Sequence, residues 1–118
     1  MERCKVELDI FSGRPTPCWT MTAAEALAFT DRLDGLPPAE PRPLFAGLGY
    51  RGLIVTLERP LAESTVRIQR GMAQIARGGG ADRLYFEDWG RALERWLLET
   101  GKRQLPADLL RILEREFS

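Results

Sequence analysis

Cys4-Lys5-Val6-Glu7-Leu8-Asp9-Ile10 is the stretch that decides the fold, because apolar and charged side chains alternate along its whole length. A period of two residues is typical of a β-strand with one buried face, since successive side chains point to opposite sides of a sheet. Lys5, Glu7 and Asp9 then face water, and the residues between them face a core. We therefore expect a sheet that packs on one side.

A helix is expected after the loop that follows this strand. Thr22 and Glu25 are spaced as in a capping box, in which each side chain binds the backbone amide of the other residue. Apolar residues then recur every three or four positions, and Gly35 followed by two prolines marks the end of the helix. The expected helix covers Ala23–Asp34.

Two further amphipathic segments lie in the last third of the chain. Asp88 is the expected cap of a helix that ends near Gly101, and Trp89 and Trp96 are expected on the buried face of that helix. Residues 105–117 carry the same periodicity, with a proline in the first turn, and predict a last helix.

The middle of the chain favours β-structure. Residues 53–57 and 65–69 are rich in β-branched side chains, so we expect them to pair as an antiparallel hairpin. Weaker signals favour another strand at residues 72–76, with Gly71 as a bulge, and a return strand at residues 84–86.

The order of these elements, β-α-β-β-(β-β)-α-α, predicts an α+β fold. We expect an antiparallel sheet of three to five strands with about three helices packed on one face. A length of 118 residues is that of one globular domain, covering residues 1–118. Residues 36–43 hold four prolines and are interpreted as an extended connector across the surface of that domain.

Charge and composition argue against several classes of partner. The chain has 17 basic and 17 acidic residues, so its net charge attracts neither nucleic acid nor an anionic membrane. Its amino-terminal residues are charged where a secretory signal is apolar, and no stretch has the length of a membrane span. We expect a cytoplasmic protein that binds neither nucleic acid nor membrane.

The absence of histidine limits the chemistry of the chain. It removes Ser-His-Asp and Cys-His nucleophiles, histidine-ligated zinc and the usual proton carrier near neutral pH. Cys4 and Cys18 are read as two reduced thiols, the first buried in its strand and the second more accessible. We therefore predict no catalytic residue, no cofactor and no metal site.

The segment Phe11-Ser12-Gly13-Arg14-Pro15-Thr16-Pro17-Cys18-Trp19 is the densest in unusual residues. It resembles a signature of small uncharacterised bacterial proteins, F-S-G-R-P-x-P-x-W, a resemblance that implies no particular activity. Arg14 can present a bidentate fork to a carboxylate or phosphate, with Trp19 as an apolar wall. Alternatively, Trp19 covers the end of the core and Arg14 pairs with a carboxylate of this chain.

A second loop, Gly47-Leu48-Gly49-Tyr50-Arg51-Gly52, has the G-x-G-x-x-G spacing of nucleotide-binding loops. It leads into a strand and not into a helix, so no helix amino terminus is available for a pyrophosphate, and we interpret the spacing as a flexible strand entry. If the two loops converge, Tyr50 and Arg51 join Arg14 and Trp19 in one binding site.

Three functional hypotheses follow. The first is a non-catalytic binding or accessory module that recognises a protein or peptide, for example an immunity protein or a biosynthetic accessory protein. The alternative is a small enzyme, or a small-molecule or anion binder, whose site lies between the loop from Ser12 to Trp19 and the loop from Gly47 to Gly52. A third is a homo-oligomer assembled through the carboxy-terminal helix.

Overall fold

The computed structural model describes residues 3–11, 16–47, 49–58, 63–77 and 82–117. Within these residues, six strands form one antiparallel sheet: β1 (Arg3–Phe11), β2 (Cys18–Thr20), β3 (Gly49–Glu58), β4 (Glu63–Gln69), β5 (Met72–Arg77) and β6 (Arg83–Glu87). Three α-helices are found in the same ranges: α1 (Ala23–Asp34), α2 (Ala92–Gly101) and α3 (Ala107–Glu116). The strands lie in the order β2-β1-β3-β4-β5-β6.

The α+β class and the antiparallel sheet are confirmed, but the expected count of three to five strands is too low for the described residues. The strand that the sequence analysis missed is β2, which pairs with β1 by placing Trp19 opposite Val6 and Thr20 opposite Lys5. Three residues are too few to show an alternating pattern, and Pro17 directly before them argues locally for a loop. Pairing with β1 decides their conformation.

The core lies on one face of the sheet. The strand registers align Val6, Val55, Val66 and Ile75 in a row across four neighbouring strands, and all four are buried. Residues of each helix pack against this row, among them Phe29, Leu97 and Leu109. The α-helices therefore cover the face predicted from the alternation in β1, and the opposite face carries its charged residues.

The β3–β4 hairpin is confirmed, although it lies inside the sheet and not at an edge. The β4–β5 connection differs from its expectation, because Gly71 is part of a two-residue turn and not a bulge. Gln69 pairs with Met72, and Arg70 and Gly71 between them have φ values of 47° and 82°. Positive φ at both central residues is typical of two-residue hairpin turns, because the twist of such a turn matches the twist of the two strands that it joins.

The proline-rich connector, residues 36–43, lies beside β6. The amide of Ala39 donates to the carbonyl of Tyr85 at 2.9 Å, and the amide of Glu87 donates to the carbonyl of Pro37 at 2.8 Å. This pairing confirms an extended conformation and places the connector along the outer edge of the sheet.

The helix boundaries follow from their caps. Thr22 and Glu25 form the expected capping box at the start of α1. Asp88 also caps as expected, but its carboxylate accepts from the amides of Leu93 and Glu94, at 2.8 and 3.0 Å, across an intervening 3₁₀ turn. No helix in the described ranges has both the length and the apolar character needed to cross a membrane.

Trp89, which the sequence analysis expects in the core, lies in the 3₁₀ turn Trp89–Arg91. Gly90 and Arg91 in this turn have φ values of 65° and 56°, so helical periodicity begins only at Ala92. Trp89 is consequently 74% exposed, and its predicted place on the buried face of a helix is wrong. Trp96, within α2 proper, packs partly against the core as expected.

Candidate functional site

Trp19, one of the residues predicted to bind a ligand, lies in the core. Its indole Nε1 donates to the hydroxyl of Thr100 at 2.9 Å, and its ring lies against the backbone of Gly101. A side chain at Gly101 would overlap the indole ring. Trp19 therefore joins β2 to the end of α2, which is the structural alternative given for it above.

Tyr50 and Arg51 point to opposite faces of β3. Tyr50 is buried beneath the helices, where its hydroxyl donates to the carboxylate of Glu94. Arg51 lies on the other face and donates from Nε and Nη2 to one oxygen of Asp9, at 3.2 and 2.9 Å. Arg14 lies outside the described residues, as do the other residues of 12–15 and residue 48. A site at which the two loops converge therefore stays a prediction.

The charge of Arg51 is paired within the chain. Asp9 also approaches Arg67, at 4.0 Å. The side-chain amide of Gln69 donates to the carbonyl of Arg51 at 2.7 Å and so holds the backbone beside this ion pair. An anion bound by Arg51 would have to compete with a carboxylate already in place.

Sequence reasoning missed the most deeply buried charge near Tyr50. Glu94 is 0% exposed, and the guanidinium of Arg91 donates to both of its oxygens at 2.9 Å. The sequence contains one indication of this burial. Leu97 and Leu98, which lie three and four positions after Glu94, are both apolar, so Glu94 lies beside the buried side of α2.

Arg91 connects this buried pair to α3. Its Nη2 lies 3.3 Å from Oε1 of Glu116, its Nη1 donates to the backbone carbonyl of Glu116, and its guanidinium lies 4.1 Å from the ring centroid of Phe117. Phe117 in turn meets Tyr50 edge to face, with 6.1 Å between centroids. These residues fix the end of α3 against the beginning of α2.

Burial and the neighbouring carboxylate of Glu94 raise the pKa of Tyr50, so its hydroxyl keeps its proton. The hydrogen bond to Glu94 raises the pKa of Arg91, although partial burial opposes that effect. In the described part of the chain, no buried side-chain nitrogen or oxygen lacks a hydrogen-bond partner. The cluster is therefore satisfied without a ligand and acts as a structural joint.

A groove of about 370 Å³ opens between α2 and α3, next to this joint. Its apolar lining consists of Trp96, Leu98, Leu105, Leu110, Leu113 and Phe117. Because Phe117 also belongs to the joint, the Arg91 contacts determine the position of one wall of the groove. Trp96 is held from outside by Arg32 of α1, whose guanidinium carbon lies 4.8 Å from a tryptophan ring centroid.

Charged residues of both signs surround the apolar floor. Arg95 and Lys102 are basic, Glu99 and Glu114 are acidic, and Lys102 lies 3.7 Å from Glu99. The residues lining the groove include no cysteine, serine or threonine that could act as a nucleophile. An apolar floor with a mixed charged rim is suited to binding an amphipathic surface.

Comparison with protein-family models, with curated proteins and with solved structures gives no significant match. The likeness of residues 11–19 to the F-S-G-R-P-x-P-x-W signature thus remains a feature of the sequence alone. The assignment of a function rests on the site itself.

Proposed function

We propose that the protein is a non-catalytic binding module, and that the groove between α2 and α3 holds an amphipathic helix of a partner protein. The observation that carries this proposal is the combination of an apolar floor with a charged rim in a groove open to solvent. Helices dock into such grooves by their apolar side chains, and the residues flanking those side chains set orientation.

The groove runs beside α2 and can receive part of a partner helix. Its lining residues from Arg95 to Lys102 extend over about 11 Å at the rise of an α-helix, which equals roughly two turns of a docked partner helix. Along this length, Arg95 and Lys102 can meet acidic partner residues, and Glu114 can meet a basic one. The partner is therefore expected to carry charges of both signs beside its apolar stripe.

A second copy of the chain is a less suitable occupant. Leu109 and Leu113 of α3 are buried in the core of their own chain. Among the described residues of α3, the large apolar side chain that is exposed is Ile112, at 39%. Ile112 does not line the groove. Self-association through the exposed Ile112 side of α3 would thus leave the groove unused.

Selection of peptides from a displayed library tests the proposal. The immobilised wild-type protein should enrich sequences whose apolar residues recur every three or four positions, and synthetic versions should bind with a measurable Kd. Leu110→Lys places a charge on the groove floor and should weaken binding at least roughly tenfold. Ile112→Lys, the same change on another side of α3, is the matched control and should leave Kd unchanged.

Both variants should have melting temperatures close to that of the wild type, so that a change in Kd reports on binding and not on unfolding. Peptide-induced chemical-shift changes on the wild-type protein give a second readout that requires no variant, and they should cluster on Trp96, Leu98 and Leu110. Equal weakening by the two variants, or shifts confined to another surface, would contradict the proposal. A concentration-dependent dimer that buries the groove would assign it to a second copy instead.

A further inference from the structure

Trp89 stands at the rim of a second cleft, separate from the groove. The cleft has a volume of about 320 Å³ and lies between the end of α1 and the start of α2. Gly90 and Arg91, both at positive φ, turn the chain so that Trp89 leaves the helix and remains 74% exposed. Trp89 therefore presents a large aromatic surface to solvent beside this cleft.

The charges that line this cleft are mostly acidic. They are Asp31, Glu87 and Asp88 against a single basic residue, Arg32. Both carboxylate oxygens of Asp88 are used by backbone amides of α2, and Glu87 lies 3.3 Å from Arg42. Asp31, exposed in the last turn of α1, has no ion pair within the described residues. Asp31 therefore supplies a carboxylate to the same cleft that Trp89 lines.

The two helix ends at the cleft carry partial charges of opposite sign. Gly35 and Leu36 belong to the carboxy-terminal end of α1, which carries partial negative charge. The amino-terminal end of α2 carries partial positive charge, but the buried carboxylate of Asp88 neutralises it. Arg32 directs its guanidinium over Trp96, so the local field near Trp89 favours a cation.

We propose that this cleft binds a lysine or arginine side chain of a partner protein, with the cation over the ring of Trp89 and close to Asp31. A cation placed over an indole face is attracted by the ring quadrupole, and a carboxylate beside it adds a counter-charge. Leu36, Pro37 and Leu93 line the same cleft and provide apolar surface for the methylene stem. None of these residues lines the groove, so the inference stands apart from the proposed function.

A short acetylated and amidated Gly-Arg-Gly peptide is the probe, followed by the indole resonances in ¹H–¹⁵N spectra up to millimolar concentration. The Trp89 signal should shift and saturate, whereas the signals of Trp19 and Trp96 should not move. The same peptide with neutral citrulline in place of arginine should produce no saturable shift. Asp31→Asn should weaken binding roughly two- to fivefold.

Asp34→Asn is the matched control, because Asp34 is an exposed aspartate of the same helix end that does not line the cleft. It should leave the Kd unchanged, and Trp89→Leu should remove most of the binding. Equal binding of the citrulline peptide, or equal effects of the two aspartate variants, would overturn the proposal. Free methylguanidinium binding as tightly as the peptide would overturn the assignment to a protein partner.

Discussion

The hydroxyl of Tyr50 donates to the fully buried carboxylate of Glu94, and this contact helps to join the sheet to the helical layer. Tyr50 lies at the beginning of β3, and Glu94 lies in the first turn of α2. Arg91 supplies the opposite charge and extends the connection to Glu116 of α3. A buried carboxylate with one cation and one neutral donor depends on both of them, because each compensates part of its lost hydration.

Tyr50→Phe should lower the free energy of unfolding by about 1 to 3 kcal/mol at pH 7, since it leaves the buried Glu94 carboxylate without one donor. Chemical denaturation measures this loss. Tyr85→Phe is the control, because the Tyr85 hydroxyl accepts from Gln74 in a half-buried position on the open face. A Tyr50 variant no less stable than the Tyr85 variant would show that the joint contributes little.

The same contact predicts a dependence on alkaline pH. The pKa of Tyr50 is raised above its ordinary value of 10.0 in the folded state, so above pH 10 the unfolded chain releases a proton that the native state retains. The contribution of this group is complete below pH 10 and declines above it by about 1.4 kcal/mol per pH unit. The stability difference between wild type and Tyr50→Phe should therefore shrink between pH 10 and 11, and an unchanged difference would contradict the shift.

Gly101→Ala should destabilise the protein because its methyl group would overlap the Trp19 ring. We expect a loss of about 1 to 3 kcal/mol from overpacking, together with a weaker Trp19–Thr100 hydrogen bond. Gly35→Ala is the control, since a methyl group there meets its neighbours at ordinary contact distances of 3.6 Å or more. Thermal melts of the two variants should differ clearly, and similar melting temperatures would mean that Trp19 moves aside at little cost.

Thr22→Ala should cost roughly 0.5 to 2 kcal/mol, because it removes the hydroxyl that accepts the Glu25 amide at 3.1 Å. Thr16→Ala, at an exposed loop position before β2, is the control and should be close to neutral. A denaturation midpoint unchanged by Thr22→Ala would reject the contribution of the cap.

Thiol labelling tests which of the two cysteines, Cys4 in β1 or Cys18 in β2, is accessible to solvent. Cys4 is buried and Cys18 is exposed, as the sequence analysis expected. A thiol reagent should therefore modify one equivalent rapidly in the native protein and two after denaturation. Cys18→Ser should abolish the rapid phase, and rapid labelling that persists in this variant would place Cys4 at the surface.

Local patterns predicted those elements whose signals are contained in a few consecutive residues. The alternation of β1, the capping box of α1 and the β3–β4 hairpin are of this kind, and the structure confirms them. β2 was missed because its conformation comes from pairing with β1, which no short window can show. Trp89 was misplaced because the left-handed residues after it interrupt the helical period.

The candidate site was harder to predict for the same reason. Tyr50 and Arg51 are both candidate binding residues, and they point to opposite faces of β3 because neighbouring residues of a strand alternate between its two sides. Trp96, Leu110 and Phe117 each carried the pattern of a core residue, and only the packing of α2 beside α3 leaves them lining a groove. Burial of Glu94 likewise depends on Arg91 and Tyr50, which are brought to it by the fold.

The connector beside β6 has a consequence for how copies of the protein behave at high concentration. Pro37 and Pro38 have no amide hydrogens, so this border is a poor template for an incoming strand from another molecule. The opposite border is β2, whose three residues offer little to pair with. Intermolecular strand exchange and fibril growth are thereby disfavoured at both borders, and the chain can keep a well-paired sheet without polymerising.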